Sequence, residues 1–271
     1  MLIDFHTHAF PDKIAERAIT ALESNLLEFT GEASRSRANY RGTVKELKIS
    51  MKENGVDISV VLPIATTVTQ SNSINSFAAK INGKDGIISF GSLHPRQEEA
   101  EKELIRIKEL GLKGIKLHPE YQGFFINSPE SIRILKLAEE LELFVVLHTG
   151  KDLGMPKPIH CPPWLLADAL NHVSGKFIIA AHMGGYRYWD DVLKYLVGTD
   201  IFLDTSFCLN EIPAETAKEI ITLHSSDKIL FASDSPWESP SIIFNALKAL
   251  NLPLEDFEKI TYKNACGILG I

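Results

Sequence analysis

The stretch LIDFHTH, residues 2–8, ends an apolar run with two histidines two positions apart, His6 and His8, just downstream of an aspartate. The chain has nine histidines, and six fall at or just beyond the ends of short apolar runs: His6, His8, His94, His118, His148 and His182. Asp234 follows the last such run, in FASDSPW. Residues two apart on a strand point the same way, so His6 and His8 are expected to aim at one place. With His148 and Asp234 they make a ligand set for a divalent cation. Imidazole and carboxylate suit zinc, and also iron, manganese or nickel. Such a set leaves a position for water, whose pKa a metal lowers toward neutrality. His182 is expected nearby as a base or orienting donor. A single histidine at a strand end is usually a hydrogen-bonded rim residue; the convergence of five groups is what points to a site. His172 and His224 sit near helix ends, where a proton or dipole contact accounts for them without chemistry.

The elements that must carry these residues are short apolar, β-branched runs alternating with longer amphipathic stretches. Strands are expected over 2–7, 57–62, 87–93, 112–118, 143–148, 177–182, 200–205 and 228–233. Helices are expected over 12–29, 43–54, 72–82, 97–112, 128–143, 162–173, 187–197, 213–224, 240–249 and 261–268. The stretch 128–143 opens with a serine cap and proline at the first helical position, then carries Ile132, Leu135 and Ala138 on one face. Eight strands, each followed by helix, predict a parallel sheet covered by helices, closed at this length as a (β/α)8 TIM barrel with its active site at the C-terminal ends of the strands. Chance would put about one of nine histidines at such ends, taking about three end positions per strand of such a barrel. An open doubly wound sheet is the alternative, but no GxGxxG follows the first strand. One domain spans 1–271, with a polar insertion at 30–42 that carries three arginines.

Composition narrows the classes. Of 271 residues 45% are hydrophobic, enough for one large core, and the net charge is −7, which argues against a nucleic-acid partner. No apolar run approaches the roughly 18 residues of a membrane span. Met1 leads almost directly into the first strand, so no signal peptide is expected. Cys161, Cys208 and Cys266 are far apart and odd in number, so a reducing cytoplasm is expected.

The motifs DFHTH (4–8), GLKGIKLHP (111–119), FVVLHTG (144–150), AHMGG (181–185), FLDTSF (202–207) and ASDSPW (232–237) resemble the amidohydrolase superfamily over nearly the whole chain. More narrowly they resemble the branch that includes aminocarboxymuconate-semialdehyde decarboxylase and related aromatic-acid decarboxylases. The resemblance implies one metal, zinc by preference, on His6, His8, His148 and Asp234. It implies His182 as the catalytic acid/base beside the metal's water, with Asp234 sharing in proton transfer. Lys116 lies two residues before His118; in some branches a carboxylated lysine from this strand bridges two metals, so a second ion is expected only if Lys116 is carboxylated. His118 is expected on the substrate side or behind the ligands, a role in which partners orient ligands.

Fold and metal do not choose between the hydrolases and lyases of such a branch. Hydrolysis of a small amide, lactone or ester is the primary expectation. Decarboxylation of a small unsaturated or aromatic acid is the alternative, favoured if cations face the mouth. Candidates are Arg35, Arg37 and Arg41 in the insertion, Arg96 near His94, and Arg187. Trp237, Phe124, Phe125 and Trp164 are candidates for an apolar wall. A TatD-like nuclease fits less well, because IKLHP stands where that family has a glutamate. A small-molecule substrate, no membrane and a homodimer complete the expectations. The loops 30–42 and 154–163 are expected to control access.

Overall fold

The computed structural model describes residues 1–32 and 37–271; Arg35 and part of the 30–42 insertion lie outside the described residues. Its strands are β1 (Ile3–Thr7), β2 (Ile58–Val61), β3 (Ile87–Ser89), β4 (Gly91–Ser92), β5 (Gly114–Leu117), β6 (Phe144–Leu147), β7 (Ile178–Ala180), β8 (Phe202–Asp204) and β9 (Ile229–Leu230). All pair in parallel, in the orders β1-β2-β3 and β4-β5-β6-β7-β8-β9. The expected third strand is split at Phe90 into β3 and β4, which gives nine segments for eight strands. The ring closes where β1 meets the chain beyond β9. Phe5 N donates to Phe231 O at 2.9 Å, Asp234 N to His6 O at 2.8 Å and His8 N to Ser235 O at 2.6 Å. This is the (β/α)8 barrel expected from the alternation.

Two apolar layers follow from the strand period of two. Val145 and Leu147 of β6 and Ile178 and Ala180 of β7 pack with the surrounding helices. Their neighbours Val146 and Ile179 join Ile3, Phe5, Val60, Leu62, Phe90, Leu230 and Ala232 in a second cluster that fills the barrel.

The first strand does not keep a simple alternation. Asp4 pairs with Ser59 and Thr7 with Val61, so three steps of β1 match two of β2. This extra residue is a β-bulge, a device that turns side chains to a new face. Phe5 packs in the barrel interior while His6, next to it, lines the mouth. The bulge therefore lets one strand supply both core and site.

The helices match expectation with shorter ends in several places. The first, α1 (Asp12–Thr30), stops at Gly31 in the left-handed conformation that glycine tolerates. Next, α2 (Val44–Asn54) opens with a reciprocal cap between Thr43 and Glu46. Then come α3 (Ser71–Ile81), α4 (Ala100–Glu109), α5 (Pro119–Gln122), α6 (Pro129–Glu140) and α7 (Pro163–Ala169). The expected 97–112 and 162–173 helices are trimmed to α4 and α7, and neither the single turn α5 nor the short helix over Leu254–Glu258 is among those expected. The last five are α8 (Trp189–Tyr195), α9 (Ala214–His224), α10 (Pro240–Ala249), α11 (Leu254–Glu258) and α12 (Asn264–Leu269). Among the described residues no helix is long and apolar enough to cross a membrane.

Candidate metal centre and active site

His6 and His8 each use Nδ1 for anchoring. His6 Nδ1 donates to Asp204 Oδ2 at 2.9 Å, and His8 Nδ1 donates to the Leu62 carbonyl at 2.9 Å. In the neutral ring this leaves Nε2 with a lone pair. Both lone-pair nitrogens then face one carboxylate oxygen, Asp234 Oδ1, at 3.5 Å from His6 and 3.0 Å from His8. Burial, reinforced by Lys116, holds the His6 pKa well below the usual histidine range, so His6 is the neutral imidazole a metal needs. Burial works to raise Asp234, but the charge that His6 and His8 carry when protonated outweighs it and its carboxyl sits at about 2, so Asp234 is the ionised member of the set. Three acceptors converging on one point, within 4.8 Å of one another, fit a divalent cation. Residue Asp234 holds this place through a left-handed backbone, φ 72°, tied by its N–H to the His6 carbonyl.

Asp204, in the FLDTSF motif, has a role that the sequence alone does not show. Besides orienting His6, it accepts from the backbone N–H groups of His182 and Ser206, each at 3.0 Å, and from the Ser206 hydroxyl. A carboxylate behind a metal-binding histidine fixes its tautomer and ring plane. The signal available was an aspartate ending an otherwise apolar strand. Asp4, also buried, accepts from Ser233 N and Oγ and from His6 N. Burial raises Asp4 to about 7.

His182 has φ 58° and lies in a short 3-10 turn beyond β7. Its Nδ1 is 2.9 Å from the Ser206 carbonyl and 3.0 Å from Ser206 Oγ. Its Nε2 meets His148 Nδ1 at 3.0 Å. His182 also stacks on His6, with ring centroids 5.6 Å apart, so it stands beside the cation position as expected.

The fourth expected ligand is placed differently. His148 is one imidazole away, across His182, and its ligand atoms group with those of His118 and Asp152 rather than with His6, His8 and Asp234. Its loop leaves β6 through Thr149, anchored on the Ala181 carbonyl, and Gly150, paired with Tyr186, which turn the imidazole toward β5. Lys116 is wholly buried, with Nζ 3.2 Å from His6 Nε2. Burial, against the attraction of Asp204 and Asp234, lowers its pKa to about 8.

A cavity of about 710 Å3 opens over these groups and is lined by His6, His8, Lys116, His118, His148, His182, Asp234 and Trp237. Its far wall is the apolar stripe Ile14, Ala18, Leu22 and Leu26 of α1, spaced to share one helix face. Lys13 and Lys151 stand in the wall as further cations.

Several expected contributors lie outside this cavity. His94 is a rim residue: its Nε2 donates to the Gln122 carbonyl at 3.1 Å and its Nδ1 accepts from Arg96 N. Arg187 lies over the Tyr186 ring and pairs with Glu211, Arg41 pairs with Glu23, and Arg96 pairs with Glu130. Each guanidinium is drawn to a surface carboxylate. Phe124 is core, Phe125 packs on His160, and Trp164 packs on Tyr188. Of the two loops expected over the mouth, neither 154–163 nor the described part of 30–42 lines it; α1 does that instead.

The comparisons agree with this architecture. The amidohydrolase family profile matches residues 3–271. None of the curated proteins matches the chain. Among solved structures, 5-carboxyvanillate decarboxylase from Sphingomonas paucimobilis is 15% identical at a TM-score of 0.67, covering 100% of this chain and 99% of that one. A dihydroxybenzoic acid decarboxylase from Polaromonas sp. JS666, with bound manganese and the inhibitor 2-nitroresorcinol, is 16% identical at 0.67, covering 99% and 96%. An amidohydrolase II is 17% identical at 0.71, covering all of both chains. At such identities the likeness is one of fold. Taken with the family match over nearly its full length, it makes the chain an enzyme that belongs to the amidohydrolase family.

Proposed function

We propose that the protein decarboxylates a small carboxylic acid with an unsaturated or aromatic body, using one divalent ion held by His6, His8 and Asp234. The observation that carries this reading is Lys116, a buried ammonium beside the cation position in a cavity whose far wall is apolar. A carboxylate would meet the lysine while its body lies against Trp237 and α1. Two of the solved relatives named above are decarboxylases of aromatic acids, which adds weight to the lyase over the hydrolase first expected.

The ion, of the zinc or manganese class, would supply Lewis acidity toward a substrate oxygen. The residues do the rest. Lys116 pairs with the carboxylate, and the apolar wall orients the body. The bond from the carboxylate carbon to the body breaks, carbon dioxide leaves, and the electron pair remains on the body carbon. That carbon takes a proton that solvent supplies and that the His182–His148 pair, two rings sharing one hydrogen bond at the cavity wall, passes on. Ser206 and Asp204 hold His182 in place.

A second reading, hydrolysis of a lactone or amide, is favoured by the number of protein ligands: three leave room for water at the ion. A panel of aromatic and unsaturated acids, assayed for carbon dioxide and run in D2O, decides between them. Decarboxylation gives one carbon dioxide and one deuterium at the vacated carbon per turnover. Turnover of lactones or amides without carbon dioxide release would replace the lyase reading with the hydrolase one.

A further inference from the structure

Away from its polar end, where Lys116 and His6 are buried at the strand ends, the cavity is walled by two helices. On α1, the stripe from Ile14 through Ala18 and Leu22 to Leu26 covers about 18 Å of helix at about 1.5 Å per residue. On α3, Ile74 and Phe77 line the same cavity, with Ile64 from the loop after β2. Together they bound an apolar arm of the cavity.

Neither helix spends these residues on the core. The buried residues of α1 are Ala15 and Ile19, one step round the helix from the stripe. Those of α3 are Ser71, Asn75 and Ala78. Asn75 ties α3 to the barrel, donating to the Ser92 carbonyl at 2.9 Å and accepting from Ser92 N at 2.8 Å. Leu22, Leu26, Ile74 and Phe77 are left half-buried, and Ile14 is 37% exposed. Covering such surface with apolar atoms is favourable in proportion to its area. The polar groups that border this end are turned to one another. Gln70 Oε1 accepts from Thr66 N at 2.9 Å and from Thr66 Oγ1 at 3.0 Å, and Ser73 Oγ donates to the Gln70 carbonyl at 2.9 Å. The volume of about 710 Å3 falls within the roughly 300–1,000 Å3 of pockets that enclose drug-sized ligands. An acid with a single bare ring leaves much of it to water against apolar walls.

We propose that the substrate acid carries an extended apolar substituent, several carbons long, opposite its carboxylate, and that Leu22 of α1 and Phe77 of α3 select it. The proposal rests on the reading of Lys116 as the carboxylate's partner. With the carboxylate held at the buried end, the opposite end of the body points out of the barrel toward α1, and a substituent on it enters the arm. Ala18, a small residue between Ile14 and Leu22 on the same face, leaves a notch in which such a chain can lie.

The test is binding of para-methylbenzoate, para-butylbenzoate and para-hexylbenzoate to the Mn2+-loaded wild-type protein by isothermal titration calorimetry, with competition among the three acids to show one site. Burial of each added methylene should tighten binding about threefold, so that para-butylbenzoate binds at least about tenfold more tightly than para-methylbenzoate. Leu22→Gln and Phe77→Ser remove apolar surface from the two walls. Each should lower the ratio of the methyl to the butyl dissociation constant by at least about threefold. Equal constants along the series overturn the proposal. So do longer acids that fail to compete with para-methylbenzoate, a ratio kept in both variants, or no binding of any of the three acids. Carbon dioxide release judges the decarboxylase reading separately. A length-dependent series without release from any acid keeps the arm and sinks that reading; release from single-ring acids with a flat series does the reverse. Circular dichroism of each variant checks folding, and the wild-type series decides if a variant does not fold.

Discussion

At the scale of single residues, the candidate site depends on groups that hold protons in place. Asp204 determines which nitrogen of His6 is free. Asp204→Asn keeps an oxygen for the backbone donors but presents an uncharged group to His6. It should weaken metal affinity by about 10–100-fold, measured by titration of the stripped protein with Zn2+. Unchanged affinity would mean that His6 needs no orienting carboxylate. Lys116→Met tests the substrate cation. It should raise KM for carboxylic acids at least tenfold while metal content stays at the wild-type value; an unchanged KM would remove Lys116 from substrate binding. His182→Asn should keep the metal and lose turnover, because the ring touches the cavity but not Asp234. Most of these residues were legible in the sequence, because strand-end histidines stand out against a sparse background. Asp204 and Asp152 were not, since a lone acid among apolar residues carries no mark of what it will face.

At the scale of elements, close approaches between strand-end loops hold the site together. Gly150 has φ 83°, and a Cβ there would stand 2.2 Å from Tyr186 N. Gly150→Ala must push apart the loops that carry His148 and His182. It should cost roughly 1–3 kcal/mol from overpacking alone, read as a lower midpoint in urea denaturation. A midpoint equal to wild type would show that these loops are not closely coupled. His224 has the structural role expected for a helix-end histidine. Its Nε2 donates to the Ile201 carbonyl at 2.8 Å, and its Nδ1 accepts from Gly198 N at 3.2 Å. Burial lowers its pKa, against the Ile201 carbonyl, so the folded state binds fewer protons than the unfolded one. Its contribution to stability is therefore present above pH about 6.5 and is lost as pH falls below that value. His224→Gln keeps a donor for Ile201 and should flatten the decline of Tm between about pH 6.5 and pH 5 relative to wild type. Equal slopes would show that His224 does not titrate on unfolding.

At the scale of the molecule, the ring of strands joins both ends of the chain. β1 bonds to residues 231–235, so the N-terminal strand closes the sheet that the C-terminal half builds. Calorimetry should accordingly show one cooperative transition, with calorimetric and van't Hoff enthalpies in agreement; two resolved transitions would divide the chain into separate domains. The alternation of apolar runs and amphipathic helices was enough to read this architecture, because strand and helix periods are local properties of a chain. So was the convergence of His6, His8 and Asp234 on one place, because residue type and strand-end position follow directly from order along the chain. Only the tertiary structure decided the rest. The bulge in β1 changes which way His6 faces, and it exists only against the register of β2. His148 was expected with His6 and His8, but sits with His118 and Asp152. Its direction is set after β6 by the loop contacts of Thr149 and Gly150 with the chain beyond β7. Such contacts join residues far apart in sequence, and their geometry is written in no local pattern.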